Sequence, residues 1–117
     1  MKVGVIRCMQ TRDYCASGRD FRTILGHKDA FADVKEDIEI TGFVDCGGCP
    51  GKVAPLRARL LVSQGADTIA FASCISKGTP LGYPCPFARR MRELVVKKVG
   101  ENIRIIDYTH EAAPEKQ

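Results

Sequence analysis

Two cysteines stand three positions apart in Val44-Asp45-Cys46-Gly47-Gly48-Cys49-Pro50-Gly51, and the chain carries four more, Cys8, Cys15, Cys74 and Cys85. As a thiolate, cysteine is a nucleophile, a redox group and a ligand for soft metals. Gly47 and Gly48 have no side chains, so the backbone between the paired thiols can take positive φ and wrap around a bound species. Pro50 suits the first turn of a helix, where a missing N–H costs nothing. That predicts Cys49 at a helix N-terminus, whose partial positive charge favours thiolate over thiol.

These thiols must be positioned by something, and the hydrophobic pattern says what. Residues 2–7 (KVGVIR) are a compact apolar run with the look of a strand buried on both faces. The polar stretch 8–20 reads as loop, with Asp20 the expected N-cap of a helix carrying Phe21, Ile24, Leu25, Phe31 and Val34 inward. A second strand is predicted from about Ile38 to Val44. A second helix then runs from just after Gly51 to Gln64, with Val53, Leu56, Leu60 and Leu61 on one face and Gly65 closing it. Residues 67–73 give a third strand. The loop 75–85 is interrupted by glycine and proline and predicts no regular structure. A last helix opens at Pro86, turns Phe87, Met91, Leu94 and Val95 inward, and stops at Gly100; residues 102–107 form the fourth strand. The tail from about Ala113 reads as disordered.

Strands alternating with helices imply right-handed crossovers and a parallel sheet covered on both faces. The expected architecture is α/β: one domain over residues 1–117, a three-layer, doubly wound, four-stranded parallel sheet in the flavodoxin-like order 2-1-3-4. Ligands of such sheets bind at the carboxyl ends of the strands. Cys8 closes the first predicted strand, Cys46 the second and Cys74 the third. Cys49 follows one turn after Cys46, Cys85 precedes the last helix, and His110 lies just beyond the fourth strand. Cys15 sits in the loop leaving the same edge. A single cysteine at a strand end is ordinarily a small buried hydrophobe. A thiol or imidazole at every strand end of one edge is better explained by a shared site. His27 falls in the middle of the first helix and reads as a surface residue.

The chain has 117 residues, 44% of them hydrophobic and 27% charged, which is ordinary for a folded globular protein. Its opening residues read as a strand rather than as a signal peptide, and no apolar run approaches the roughly 18 residues of a membrane span. The expected location is the cytoplasm, where cysteines serve as ligands or redox groups rather than structural disulfides. The net charge of +4 comes from Lys and Arg scattered over helices, a solvated face rather than a nucleic-acid surface. Arg7, Arg12, Lys52 and Lys77 flank the cysteines. Their charge would offset the net charge of about −2 left by four thiolates around zinc or an iron–sulfur core.

The segments Cys46-Gly47-Gly48-Cys49-Pro50-Gly51, Cys74-Ile75-Ser76-Lys77-Gly78-Thr79-Pro80 and Pro84-Cys85-Pro86 together resemble the CGGC domain family over essentially the whole chain. The resemblance implies a metal-binding domain, with zinc the metal suggested by its cysteines and histidines. Carried over position by position, it points to Cys8, Cys46, Cys49, Cys74, Cys85 and His110. Relatives often place a histidine after the Cys-Pro of the last segment; Phe87 stands there instead, which shifts weight towards an all-sulfur site.

Two chemistries compete for these residues. Four sulfurs suit tetrahedral zinc or an iron–sulfur cluster. The C-x10-C spacing of Cys74 and Cys85 lacks the second C-x2-C of a zinc ribbon, which argues against zinc as a mere folding staple. The rival is thiol–disulfide exchange at the Cys46/Cys49 pair with a redox partner protein. A thioredoxin fold, however, needs an antiparallel hairpin where this sequence supplies a helix. Phosphatase chemistry at Cys8 wants Cys-x5-Arg, and Arg12 follows too soon. Inert cysteines packed in a core are the remaining reading.

Overall fold

The computed structural model describes residues 1–11, 13, 15–78 and 84–111. Arg12, Thr79, Pro80 and the tail from Ala113, each singled out above, lie outside the described residues. Four strands form one parallel sheet: β1 (Lys2–Arg7), β2 (Glu39–Asp45), β3 (Thr68–Phe71) and β4 (Arg104–Ile106), in the order β2-β1-β3-β4. Between them run α1 (Gly18–Leu25), α2 (Ala54–Ser63), a four-residue turn of helix α3 (Ser73–Ser76) and α4 (Ala88–Val99). Right-handed crossovers with this strand order put α1 on one face and α2 and α4 on the other, giving the three expected layers. β1 and β3, the central strands, supply the fully buried Val3, Val5, Ile6, Ile69 and Ala70.

The packing of α2 departs from the expected one, and glycine is the reason. β2 carries one extra residue, Thr41, so Val3 pairs with Ile40 but Gly4 pairs with Gly42. Those two glycines make a shallow patch on which Leu61 lies: a Cβ on Gly4 would stand 2.9 Å from Leu61 Cβ, and one on Gly42 would stand 2.5 Å from Leu61 Cδ2. A helix that approaches so closely buries small side chains. Ala54, Ala58 and Leu61 face the sheet, whereas Leu56 and Leu60, predicted inward, are 59% and 53% exposed.

Other boundaries shift for local reasons. Asp20 lies inside α1 instead of capping it; the cap position is Ser17, at φ 65°. α1 stops at Leu25, which is exposed, and the chain reverses through Gly26. His27 therefore lies beyond the helix, half-buried, with Nδ1 3.0 Å from the Val34 carbonyl oxygen. α2 begins at Ala54, with Pro55 in its first turn, so Pro50 belongs to the preceding turn. β3 ends at Phe71, short of the predicted end at residue 73, and α3 takes up Ser73, Cys74 and the first two residues of the stretch 75–85 expected to be irregular.

Candidate functional site at the carboxyl edge of the sheet

Register brings the first two cysteines together. Arg7 pairs with Asp45 at the end of the β1–β2 ladder, and the Cys46 N–H donates to the Arg7 carbonyl oxygen at 2.8 Å. Cys8 and Cys46 thus follow matched positions on adjacent strands, which in-register parallel pairing holds about 4.8 Å apart. On the other side of β1, the Ala72 N–H donates to the Ile6 carbonyl oxygen at 2.9 Å, leading the chain into α3. The Cys8 N–H then donates to Cys74 Sγ at 3.2 Å. Cys74 stands in α3, one short turn beyond the strand end where it was expected. Cys85 joins through its own N–H, which donates to the Ile75 carbonyl oxygen at 2.8 Å, and its Sγ accepts the Phe87 N–H at 3.4 Å.

The turn between Cys46 and Cys49 has the predicted conformation, with φ +81° at Gly47 and +99° at Gly48. A Cβ at Gly47 would stand 2.0 Å from Val53 Cγ2, so glycine is required there twice over, by φ and by space. Asp45 accepts the Gly47 N–H at 2.8 Å and an Arg57 N–H at 2.6 Å, fastening the turn to α2. Cys46 is buried and Cys49 exposed. Because α2 starts at Ala54, Cys49 lies before the helix and not at its N-terminus as expected. Its Sγ accepts the Gln10 side-chain amide at 3.8 Å.

Burial pushes the Cys8 thiol above its ordinary pKa. The nearby charges of Cys46 and Cys49 add to this, while the Gln10 and Thr11 amides pull the other way. Cys85 is raised by burial first and then by Cys49, Cys8 and Cys46, against the Phe87 amide. Cys74 is raised by burial and, more weakly, by Asp20 and Cys8, with the Cys8 amide and the Thr11 hydroxyl opposing. Cys46 and Cys49 thus bear on both Cys8 and Cys85, and Cys74 adjoins Cys8 through its amide. Cys15 is half-buried in the loop, its Sγ accepting the Ser17 N–H at 3.3 Å and its own N–H donating to the Thr11 carbonyl oxygen at 2.9 Å.

His110 is buried in a different set of bonds. Its Nε2 is 3.5 Å from Asp20 Oδ1, and its Nδ1 is 2.9 Å from the Glu111 carbonyl oxygen. Asp20 also accepts the Thr109 hydroxyl, and Ser73 Oγ donates to the His110 carbonyl oxygen at 2.6 Å. Nδ1 is thus engaged by a backbone carbonyl, while Nε2 faces the Asp20 carboxylate beyond hydrogen-bond geometry. Sequence reading missed Asp20, Ser73 and Thr109. Asp20 was assigned a helix cap, and nothing in a sequence pairs residues 89 apart.

The donor set suits a thiophilic centre in type and in charge, because thiolates that repel one another are what a cation stabilises. As the side chains stand, no three His, Cys, Asp or Glu among the described residues are closed around a common point that could hold a metal ion. Of the flanking cations, Arg7 is buried, Lys52 is exposed, and Lys77 pairs with Glu111 at 3.1 Å.

Residues 2–110 match the CGGC domain family. An uncharacterized protein of Methanocaldococcus jannaschii, MJ0582, is 33% identical over 111 residues, covering 90% of this chain and 81% of its own length. A second from the same organism, MJ0766, is 31% identical over 61 residues, covering 51% of this chain and 86% of its own. No solved structure matches. Among the described residues, no helix is long and apolar enough to cross a membrane.

Proposed function

Because the chain belongs to the CGGC domain family, which is associated with metal binding, we propose that it binds zinc or an iron–sulfur cluster through cysteine sulfur. Cys8, Cys46, Cys49 and Cys85 are the proposed ligands, with Cys74 as the fifth sulfur at the rim. The observation that carries this reading is the meeting of thiols from four separate chain segments at one sheet edge. Zinc needs four such donors, and a cluster is held by the same ligand type. His110 is not in the proposed set, since its ring lies among Asp20, Ser73 and Thr109 with no contact to a cysteine sulfur among the described residues. Cys15 is left outside it as well. The reading places the protein in the reducing cytoplasm, where thiolates stay available.

Purification without oxygen, followed by metal analysis and an absorbance spectrum, tests it. The expected result is zinc or iron at close to one site per chain, with visible absorption if the centre is a cluster. A colourless, metal-free protein whose six thiols all titrate freely would contradict it.

One observation favours a second reading: Cys49 is exposed while its partner Cys46 is buried, as suits an attacking and a resolving thiol. In that chemistry the Cys49 thiolate attacks a partner's disulfide and one partner thiolate leaves. Cys46 then displaces the second, so two electrons pass to the partner and a Cys46–Cys49 disulfide remains. Reduction of insulin that disappears in Cys49→Ser, in metal-free protein, would decide for it.

A further inference from the structure

α2 and α4 pack side by side on one face of the sheet. Together they carry seven Arg or Lys against a single acid, Glu93. With Asp45 and Asp107 included, which bond Arg57 and Arg92, this layer still holds +4, the whole net charge of the chain. Those two pairs also fix how each helix is turned. Arg57 marks the β2 side of α2, and Arg92 marks the β4 side of α4. At about 100° per residue, Arg59 lies on the opposite flank of α2, towards α4, and Arg90 on the opposite flank of α4, towards α2. Lys97, two turns beyond Arg90, shares its flank. Arg59, Arg90 and Lys97 are exposed, and none pairs with a carboxylate among the described residues. Next to Arg59, at helical spacings of three and one, stand Leu56 and Leu60, both more than half exposed.

We propose that the outer face of α2 and its seam with α4 dock an acidic protein surface, one whose apolar side chains seat on Leu56 and Leu60 and whose carboxylates meet Arg59, Arg90 and Lys97. Exposed leucines set among unpaired cations have the make-up of an interface, an apolar anchor with a charged rim. Charge selects the partner. A two-fold contact between copies of this chain would set +4 against +4. A nucleic-acid backbone gives leucines nothing to pack on, and neither helix offers an aromatic ring to stack on a base. An anionic membrane binds helices with a broader apolar face that carries Trp or Phe, which α2 lacks. Exposed Lys52 and Val53 extend the surface from α2 towards exposed Cys49. A partner seated here therefore lies beside the thiol edge, whichever chemistry that edge performs.

The test is fluorescence anisotropy of the full reduced chain with a labelled helical peptide of Leu and Glu, its leucines along one face. Control peptides carry Gln in place of every Leu, or in place of every Glu. Saturable, salt-weakened binding is expected, with each control at least about tenfold weaker. Leu56→Gln and Arg59→Glu should each weaken it at least about tenfold. Lys28→Glu, an exposed position beside α1 with the same change in net charge, should weaken it less than about twofold. All three substitutions are at exposed positions, and unchanged urea midpoints confirm that the variants fold. Absence of binding, equal losses in Arg59→Glu and Lys28→Glu, or undiminished binding by Leu56→Gln would overturn the proposal. So would tighter binding of phosphatidylserine vesicles or a single-stranded oligonucleotide than of the peptide, or a dimer of the chain that Leu56→Gln abolishes.

Discussion

The amide of Cys8 donates its hydrogen to the sulfur of Cys74, 3.2 Å away and 66 residues along the chain. That bond joins the end of β1 to α3 and gives the buried Cys74 sulfur at the rim a backbone donor. Burial raises its pKa, with Asp20 and Cys8 contributing. Cys74 should therefore resist alkylation at neutral pH in folded, metal-free protein while exposed Cys49 reacts. Mass spectrometry after a short iodoacetamide pulse reads both. Modification of Cys74 as fast as Cys49 would contradict this.

The same shifts set a pH dependence. Cys8, Cys74 and Cys85 are all raised in the folded state. An unfolded cysteine loses its proton at about pH 8.5. Above that pH the unfolded chain gives up protons that the folded chain still holds, so stability falls as pH rises towards the folded values. Below it these thiols contribute no slope. Urea midpoints of the metal-free protein should decline as pH rises above about 8.5, and Cys74→Ala should blunt the decline. A rising midpoint above that pH would be the wrong sign.

Metal binding must displace those protons. Zinc affinity should therefore increase with pH between about 6 and 8, with proton release on binding. Calorimetry in buffers of different ionisation enthalpy counts the protons. Affinity independent of pH would exclude thiol ligands.

Substitutions should divide the cysteines. Loss of an outer hydrogen-bonding partner costs a metal site about ten- to a hundredfold. Replacing a ligand should cost at least that much, so Cys46→Ser and Cys85→Ser should each weaken binding by more than about a hundredfold. Cys15→Ser should leave it unchanged, its thiol being occupied with the Ser17 amide. Equal losses in all three would point to general destabilisation instead of ligation.

The glycine patch under α2 gives a stability test away from the thiols. Gly4→Ala places a Cβ 2.9 Å from Leu61 Cβ, on the stem of the side chain and not its flexible end. It should cost about 1–3 kcal/mol by overpacking. Leu61→Ala keeps the Cβ contact but removes those to Cδ1 and Cδ2 at 3.0 and 3.1 Å, so the double variant should lose less than the sum of the two single losses. Additivity within about 0.5 kcal/mol would mean the contact is absent.

The strand order and the gathering of thiols could be read from the sequence because both follow from alternation. β-branched runs separated by amphipathic ones leave few topologies, and cysteines at successive run ends must then share an edge. Which face of α2 is buried could not be read. Leu56 and Leu60 look like core until Thr41 shifts the register and sets Gly4 beside Gly42, a fact of strand pairing. Cys49 misled for a similar reason. Pro50 fits a helix start equally well as a turn, and only the packing of Val53 against Gly47 places the helix later. The Asp20–Thr109–His110 set depends on contacts between the two ends of the chain, to which no local pattern points.

X-ray absorption at the metal edge of the protein purified without oxygen addresses the central claim most directly. An all-sulfur shell at about 2.3 Å is predicted, lost together with the metal in Cys46→Ser. A shell of nitrogen and oxygen alone, at about 2.0–2.2 Å, would contradict sulfur ligation at this edge.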